Sequence, residues 1–526
     1  MYKKILKWLG KMVFLLLPGV LGFLGYRQIG GKSILDNLFE TIHLYSFSCG
    51  VSGADMNLAL EIARWTAPAV TATVLLTVLF SLMENIKMWF VTRFTEGIAI
   101  HGDSDKISCF LKNLGWKGFR SDKKMSFRAK KHVLMFKDDF AMYRFLKEHK
   151  KELLGEKKEV YLCSENILRG NYEDKHLTIC NIAENCAREY WRKYPVAHKK
   201  EKILLIGFEN YGQRLLTQAI LKNVISMDSE IEYHVAGGYQ SYLSKHSKLN
   251  KAVHVKIVDQ EGKEKEYLAH ETICDNQDTL YFYDMPWYEV MSRGIDFDRI
   301  ILINDADEEN LSVLNELKRY YVCQNCHIKF TDRRILEALW GDNKKEIIVF
   351  GTDEELYEPD VILKEKLFEH AKMIHARYYA KWQCDGICSG RPCGNKNKTG
   401  ILSLRKCAAC PKMIDDWNKQ TTFIRYSNVA QADHIPEKLR LLVGSDCEDG
   451  AQVYAVYERL SCEEKTDLWH LEHIRWNRYH FMNNWDFAEK RDNANRRHHL
   501  LKPFEELPLK EQEKDGDAYE TLADIL

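Results

Sequence analysis

Residues Trp65 to Met83 read WTAPAVTATVLLTVLFSLM, a run without a single charged side chain. Coiled as a helix, such a run covers the roughly 30 Å hydrocarbon core of a bilayer. A second apolar stretch, MVFLLLPGVLGFLGY from Met12 to Tyr26, precedes it, and nothing after about Arg93 comes close to either. The Met12–Tyr26 run is short and holds Pro18, so it spans only with help from Trp8 and Leu9. The outline this sets is a membrane α-hairpin over residues 1–94 carrying a much larger soluble part.

Charge orients the hairpin. Lys3, Lys4, Lys7 and Lys11 stand without an acid in the first eleven residues, and Lys87 and Arg93 flank the other end. By the positive-inside bias both ends face the cytoplasm, which places the soluble domains there too. A cleaved signal peptide is the competing reading of the first segment. Against it, RQIGGKS after Tyr26 has no small-x-small cleavage site. Fifteen cysteines without an obvious pairing framework also suit a reducing cytosol. Lys+Arg and Asp+Glu both number 76, which leaves no basic field to hold a nucleic-acid polymer non-specifically.

Between the two apolar runs, Ile34, Leu35, Leu38, Phe39 and Ile42 fall at helical spacing behind Ser33, an N-cap residue type. A short amphipathic helix and a glycine-containing loop between two spans is the layout of a pore-loop channel. No TVGYG-like filter is present, and an interfacial helix on the far leaflet fits the same residues.

From Gly97 onward short apolar runs alternate with helical patterns. The strand candidates are 97–102, 133–136, 160–164 and 177–180, then KILLIG near Lys202, followed by 232–238, 279–284, 299–305 and 346–352. Repeated βα units predict doubly wound parallel sheets. The expected arrangement is two tandem, degenerate Rossmann-like domains at 95–200 and 201–355. A helical linker region with a Cys-rich insert (356–460) and a small, mostly helical C-terminal domain (461–526) follow.

Gly207-Phe-Glu-Asn-Tyr-Gly212 sits where a Rossmann phosphate loop sits, after a strand and before a helix. Gly207 and Gly212 are the candidate cofactor-binding residues, because glycines let backbone approach a pyrophosphate. The segment resembles regulatory nucleotide-binding domains of potassium channels and transporters, the RCK or TrkA-N type. Glu209 replaces the middle glycine and its charge would repel a phosphate, so a purely structural turn fits as well. Cys384, Cys388 and Cys393, then Cys407 and Cys410, bracket the polar loop GNKNKTG. Thiolates at such spacings can converge on a structural zinc. Cys323-x2-Cys326-His327 is a separate short motif, also readable as buried small hydrophobes beside Tyr320 and Tyr321.

The last sixty residues carry the sharpest pattern. LWHLEHIRWNRYHFMNNW (468–485) precedes RRHHLLKPFEELPLKEQEKDGDAY. On Glu472, Arg475, Trp476, Asn477, Trp485, His498, Leu500, Pro503, Leu507, Pro508, Lys514 and Asp515, this region resembles the ryanodine-receptor repeat domain. Asn484 and His499 depart from the glycine and proline usual there. LFETIHLYSF with EIARWTAP, and SNVAQADHIPEKL (427–439), are similar to bacterial inner-membrane proteins that fuse this repeat to TrkA-N-like domains. The resemblance implies a ligand-gated membrane effector in bacterial anti-phage defence, sensing a nucleotide messenger such as a cyclic oligonucleotide. Trp476 and Trp485 offer faces for a base, Arg475, Arg478 and Arg497 can meet phosphates, and His498 can donate or accept. The same tryptophans would equally make the small core of a helical module.

A two-helix subunit cannot enclose a pore alone, so conduction requires a homo-oligomer, four subunits by analogy with RCK channels. Two other functions stay open: a membrane-tethered enzyme that processes a nucleotide or NAD, and a non-conducting scaffold that recruits a partner. No paired carboxylates, Walker loop or triad stand at recognisable spacing to favour an enzyme.

Overall fold

The computed structural model describes residues 2–51, 53–120, 127–155, 158–166, 176–268, 277–321, 325–340, 347–388, 391–392, 396–397, 400–401, 403–444, 447 and 449–526. Side chains are not described at 2–15, 54, 77, 80–82, 84–85, 340, 387–388, 391–392, 396–397 and 400–401. The chain divides into two compact units, Met1–Gly97 and Ile98–Leu526.

The first unit is three helices: α1 (Tyr2–Ile29), α2 (Ile34–Leu44) and α3 (Leu58–Phe94). The expected helix behind Ser33 is present. Ser33 Oγ accepts from Asp36 N and the Asp36 carboxylate accepts from Ser33 N, a reciprocal box that satisfies two otherwise orphaned donors. Glycines let α1 and α3 approach closely. A Cβ on Gly25 would lie 2.8 Å from Leu60 Cβ, and one on Gly22 would lie 2.6 Å from a Leu44 methyl. Facing them, Leu60, Ala63 and Ala67 are fully buried. Among the described residues, no helix is long and apolar enough to cross a membrane. Parts of both expected spans, 12–15 and 77 and 80–82, have side chains outside the described residues.

The second unit opens on a five-stranded sheet built from β1 (Ile98–His101), β2 (Gly118–Arg120), β3 (Lys131–Met135), β4 (Glu159–Ser164) and β5 (Leu177–Asn181). All are parallel, in the order β2-β1-β3-β4-β5. Helix α4 (Ile182–Lys193) leads to an eight-stranded sheet of β6 (Lys202–Ile206), β7 (Glu232–Ala236), β8 (His254–Val258), β9 (Glu264–Glu266), β10 (Thr279–Tyr283), β11 (Arg299–Leu302), β12 (Cys326–Lys329) and β13 (Ile347–Phe350). Their order is β13-β12-β11-β6-β7-β10-β8-β9, parallel except for β9, which runs antiparallel to β8. The tandem α/β expectation therefore holds as two parallel Rossmann-like sheets. Ile203, Leu204 and Leu205 of β6 are all fully buried, as a central parallel strand covered on both faces requires.

The sheets are not separate bodies. Tyr190 and Trp191 of α4 sit in one core with Ile100 and Val133 of the first sheet and Ile203 and Leu205 of the second. Cys326 and His327, singled out as a motif, are buried ladder residues of β12, and Cys323 lies outside the described residues.

After the sheets come α5 (Asn210–Lys222, following β6), α6 (Glu365–Tyr378), α7 (Thr422–Asp433), α8 (Ile435–Val443), α9 (Cys462–Met482) and α10 (Leu509–Glu520). The linker region and the C-terminal segment share a core, in which Ala371, Trp417 and Val429 pack with Tyr519, Leu522 and Ile525. Leu471 and Ile474 of α9 pack instead on Val224. The C-terminal segment thus shares its cores with its neighbours.

Candidate functional site

The residues proposed for ligand binding in the C-terminal segment lie along α9 and the turn after it, and most are committed to the protein itself. Arg475 grips Glu472 through Nη2–Oε1 at 2.7 Å and Nε–Oε2 at 3.0 Å. Lys438 Nζ stands 2.8 Å from the same carboxylate, and all three side chains are buried. Burial pushes Glu472 up, but the charges of Arg475 and Lys438 win and hold it at about 2. Arg478 reaches across to Asp278 at 2.9 Å, with both side chains 1% exposed, and also donates to the Ile220 carbonyl at 3.1 Å. It binds α9 to the strand and helix of the second sheet.

Trp485 is buried and stacked on Phe423, ring centres 4.7 Å apart. Trp476 is half-buried among histidines, with centroid distances of 3.9 Å to His480 and 5.0 Å to His498. His498 is buried and accepts the Leu500 amide at Nδ1. Burial first, and then Arg491 and other nearby cations, push its imidazole down to about 3, so it is neutral at pH 7. Only Arg497 is substantially open, 3.2 Å from Asp486. The six residues form a packed joint rather than one open pocket.

The glycine turn has an equally internal explanation. Gly207 has φ +97°, and a Cβ there would lie 2.4 Å from Asn304 N; a Cβ on Gly212 would lie 2.2 Å from Gly207 O. Close backbone approach thus accounts for both glycines. The amides of Tyr211 and Asn210, at the start of α5, donate to the carboxylate of Asp305 at 3.0 and 3.4 Å. A helix N-terminus there would otherwise receive a phosphate. Asp305 comes from the end of β11, beside β6 at the switch point of the sheet, and its own carboxylate takes the anion position.

Of the proposed zinc ligands, Cys393 and the side chain of Cys388 lie outside the described residues. Cys384 donates its amide to Tyr379 O at 2.8 Å, and Cys410 donates to Cys407 O at 3.0 Å. Burial pushes the Tyr379 hydroxyl up, and Cys384, Asp416 and Cys410 act in the same direction. Among the described residues, no three His, Cys, Asp or Glu are placed to hold a metal.

Two cavities lie among the described residues of the second unit. One, of about 720 Å³, opens at the carboxyl edge of β7, β8 and β10, where Rossmann ligands bind. It is lined by Asp259, Glu261 and Asp284, the wrong sign for a phosphate. Asp284 there accepts from the Tyr239 hydroxyl at 2.6 Å.

The other, of about 750 Å³, lies where α4, α5, the 354–370 segment and α8 meet. Its floor holds Asn185, Arg188 and Lys222, all buried. Arg188 pairs with Asp433 at 2.6 Å through Nε and with Glu184 at 3.1 Å through Nη2. Burial works against its charge, and those two carboxylates restore it. Its Nη1 has no hydrogen-bond partner among the described residues, and neither has Asn185 Oδ1. Lys222 lies 3.8 Å from Glu437, beyond a hydrogen bond, and burial pushes its amine down. Glu354, Glu358 and Asp360 also line this cavity. The floor was not legible in the sequence, because Arg188 and Lys222 are ordinary charged helix residues until three segments fold over them.

Compared with known protein families, curated proteins and solved structures, the chain matches none.

Proposed function

We propose that this chain is a membrane effector gated by a nucleotide-type messenger, its first unit a hairpin in a bacterial inner membrane and its second unit in the cytoplasm. The observation that carries the reading is the inverted packing of the first unit. Helix α2 exposes Ile34, Leu35, Leu38, Phe39 and Ile42 while burying Asn37 and Thr41. Along α3, Val74, Leu75, Leu76, Val78 and Leu79 are exposed as well. Water would penalise such a surface, whereas lipid favours it. Small residues at the α1–α3 contact fit as well, since in lipid close van der Waals packing replaces the hydrophobic drive between helices.

The class of messenger comes from the resemblance of 461–526 to the ryanodine-receptor repeat. Conduction by this hairpin requires several copies around one axis, so the reading includes a homo-oligomer. A structural zinc on Cys384, Cys388, Cys393, Cys407 and Cys410 belongs to it too, on the spacing of those cysteines. Protein purified without chelator and lacking zinc would remove that part.

The test is reconstitution of the full chain into liposomes, with ion flux followed as cyclic oligonucleotides, cyclic mononucleotides, NAD and ATP are added in turn. Flux that responds to one of them is expected. Release of the chain from native membranes by an alkaline carbonate wash, or flux indifferent to every nucleotide, would overturn the reading.

A further inference from the structure

We infer that the cavity floored by Arg188, Lys222 and Asn185 is a binding site for a small phosphorylated molecule rich in hydroxyls, a nucleotide or a sugar phosphate. Three observations point to an anion. Arg188 is 8% exposed and keeps one N–H group, Nη1, without an acceptor. Lys222 is 4% exposed, and the nearest carboxylate oxygen, Glu437 Oε1, is out of hydrogen-bond reach at 3.8 Å. Glu437 Oε2 accepts from Arg440 at 2.7 Å, and its Oε1 makes no hydrogen bond among the described residues. A buried donor with no acceptor is costly, and burial also works against the charge on Lys222. A ligand phosphate would satisfy both, because its oxygens can accept from a guanidinium and an ammonium at once.

The remaining wall selects the carrier. Asn185 donates to the Val361 carbonyl at 3.4 Å and leaves its Oδ1 free to accept. Glu354, Glu358 and Asp360 add carboxylates to the lining. Carboxylates and an amide oxygen accept hydrogen bonds from sugar hydroxyls and amino groups, and the same carboxylates repel an extended polyanion. A volume near 750 Å³ suits one small ligand. The ligand is thus a compact phosphorylated species, not a nucleic-acid strand.

The walls come from the last helix of the first sheet, the first helix of the second sheet and the helical region behind them. A ligand bound here ties the three together. That consequence rests on the gated-effector reading; the binding itself does not.

The test uses the full chain in liposomes or detergent, with thermal melting followed against two arms, nucleotides (cyclic oligonucleotides, cyclic and linear mononucleotides) and sugar phosphates. At about 100 times its dissociation constant, the matching ligand is expected to raise the melting temperature by about 3 °C. Lys222→Met removes a buried amine 3.8 Å from Glu437, whose other oxygen keeps Arg440, so the variant should stay folded while the ligand shift disappears. Asn185→Leu should weaken the shift at least tenfold in ligand concentration. A full-sized shift in Lys222→Met, or no shift with any compound of either arm, overturns the site. If Lys222→Met still gates flux as the parent does, the effector reading survives and this site falls. If the ligand binds and is lost in Lys222→Met but flux never changes, the site stands and the effector reading falls.

Discussion

The two compact units obey opposite burial rules. In Ile98–Leu526 the central strands bury most of their apolar residues, and even charges go inside as pairs such as Arg478–Asp278 and Arg475–Glu472. In Met1–Gly97 large apolar side chains face outward while Asn37, Thr41 and several glycines face inward. On the proposed reading, the two rules answer to two solvents. Water rewards hiding hydrocarbon and tolerates an ion pair only where it is fully satisfied. Lipid offers no gain for hiding hydrocarbon and leaves packing and hydrogen bonding to decide what touches what.

The largest test of this contrast is the buried pair of the second unit. Arg478→Ala leaves Asp278 without its counter-ion, and breaking such a pair costs about 3–5 kcal/mol. Denaturant melts of the full chain should show that loss, and the double variant Arg478→Met with Asp278→Leu should recover most of it. A cost below about 1 kcal/mol would mean that the joint between α9 and the second sheet is loose.

A charge on the outward face of the first unit is next in size. Leu76 is 55% exposed, and Leu76→Lys placed in lipid costs about 2.5–3.5 kcal/mol of insertion. Membrane fractionation should show the variant partly lost from the bilayer. If the same change leaves membrane association untouched and only improves solubility, the outward face of the first unit meets water.

The smallest expected effect is one of pH, and it belongs to the second unit. His101 and His132 are buried side by side, Nε2 to Nδ1 at 3.0 Å. Burial first, with the neighbouring histidines for His101 and Lys158 for His132, pushes them down to about 3 and about 4. Both folded values lie below the ordinary histidine value of about 6.5, so the unfolded chain binds more protons between. Stability is therefore full above about pH 6.5 and falls as pH drops, by at most about 1.4 kcal/mol for each histidine over the first pH unit below that value. His132→Asn should flatten that slope, and an unchanged slope would place the acid-sensitive groups elsewhere.

Local features were readable in advance. The helix behind Ser33 depends on contacts three residues apart, and the runs KILLI and RIIL are strands whatever surrounds them, since continuous apolar β-branched segments suit a sheet buried on both faces. Strands β8, β9 and β12 were not anticipated. HVKIV and EKE carry charges that read as exposed chain, and CHIK as a cysteine motif, until sheet neighbours supply their ladders. The glycine turn was located correctly, but its anion position is filled by Asp305, almost a hundred residues later in the chain, where no local pattern could place it.

The sequence by itself determined that this chain has a region unlike the rest, an uncharged run flanked by lysines and arginines, followed by alternating strands and helices. Hydrophobic patterning acts over a few residues, so it is legible residue by residue. Tertiary structure alone decided which charges are spent and which are available. Arg478 is matched to Asp278 across 200 positions of sequence, while Arg188 is buried with an Nη1 that no acceptor among the described residues meets. The fate of a charged side chain is set by what folds over it, and electrostatic partners are chosen in space rather than along the chain.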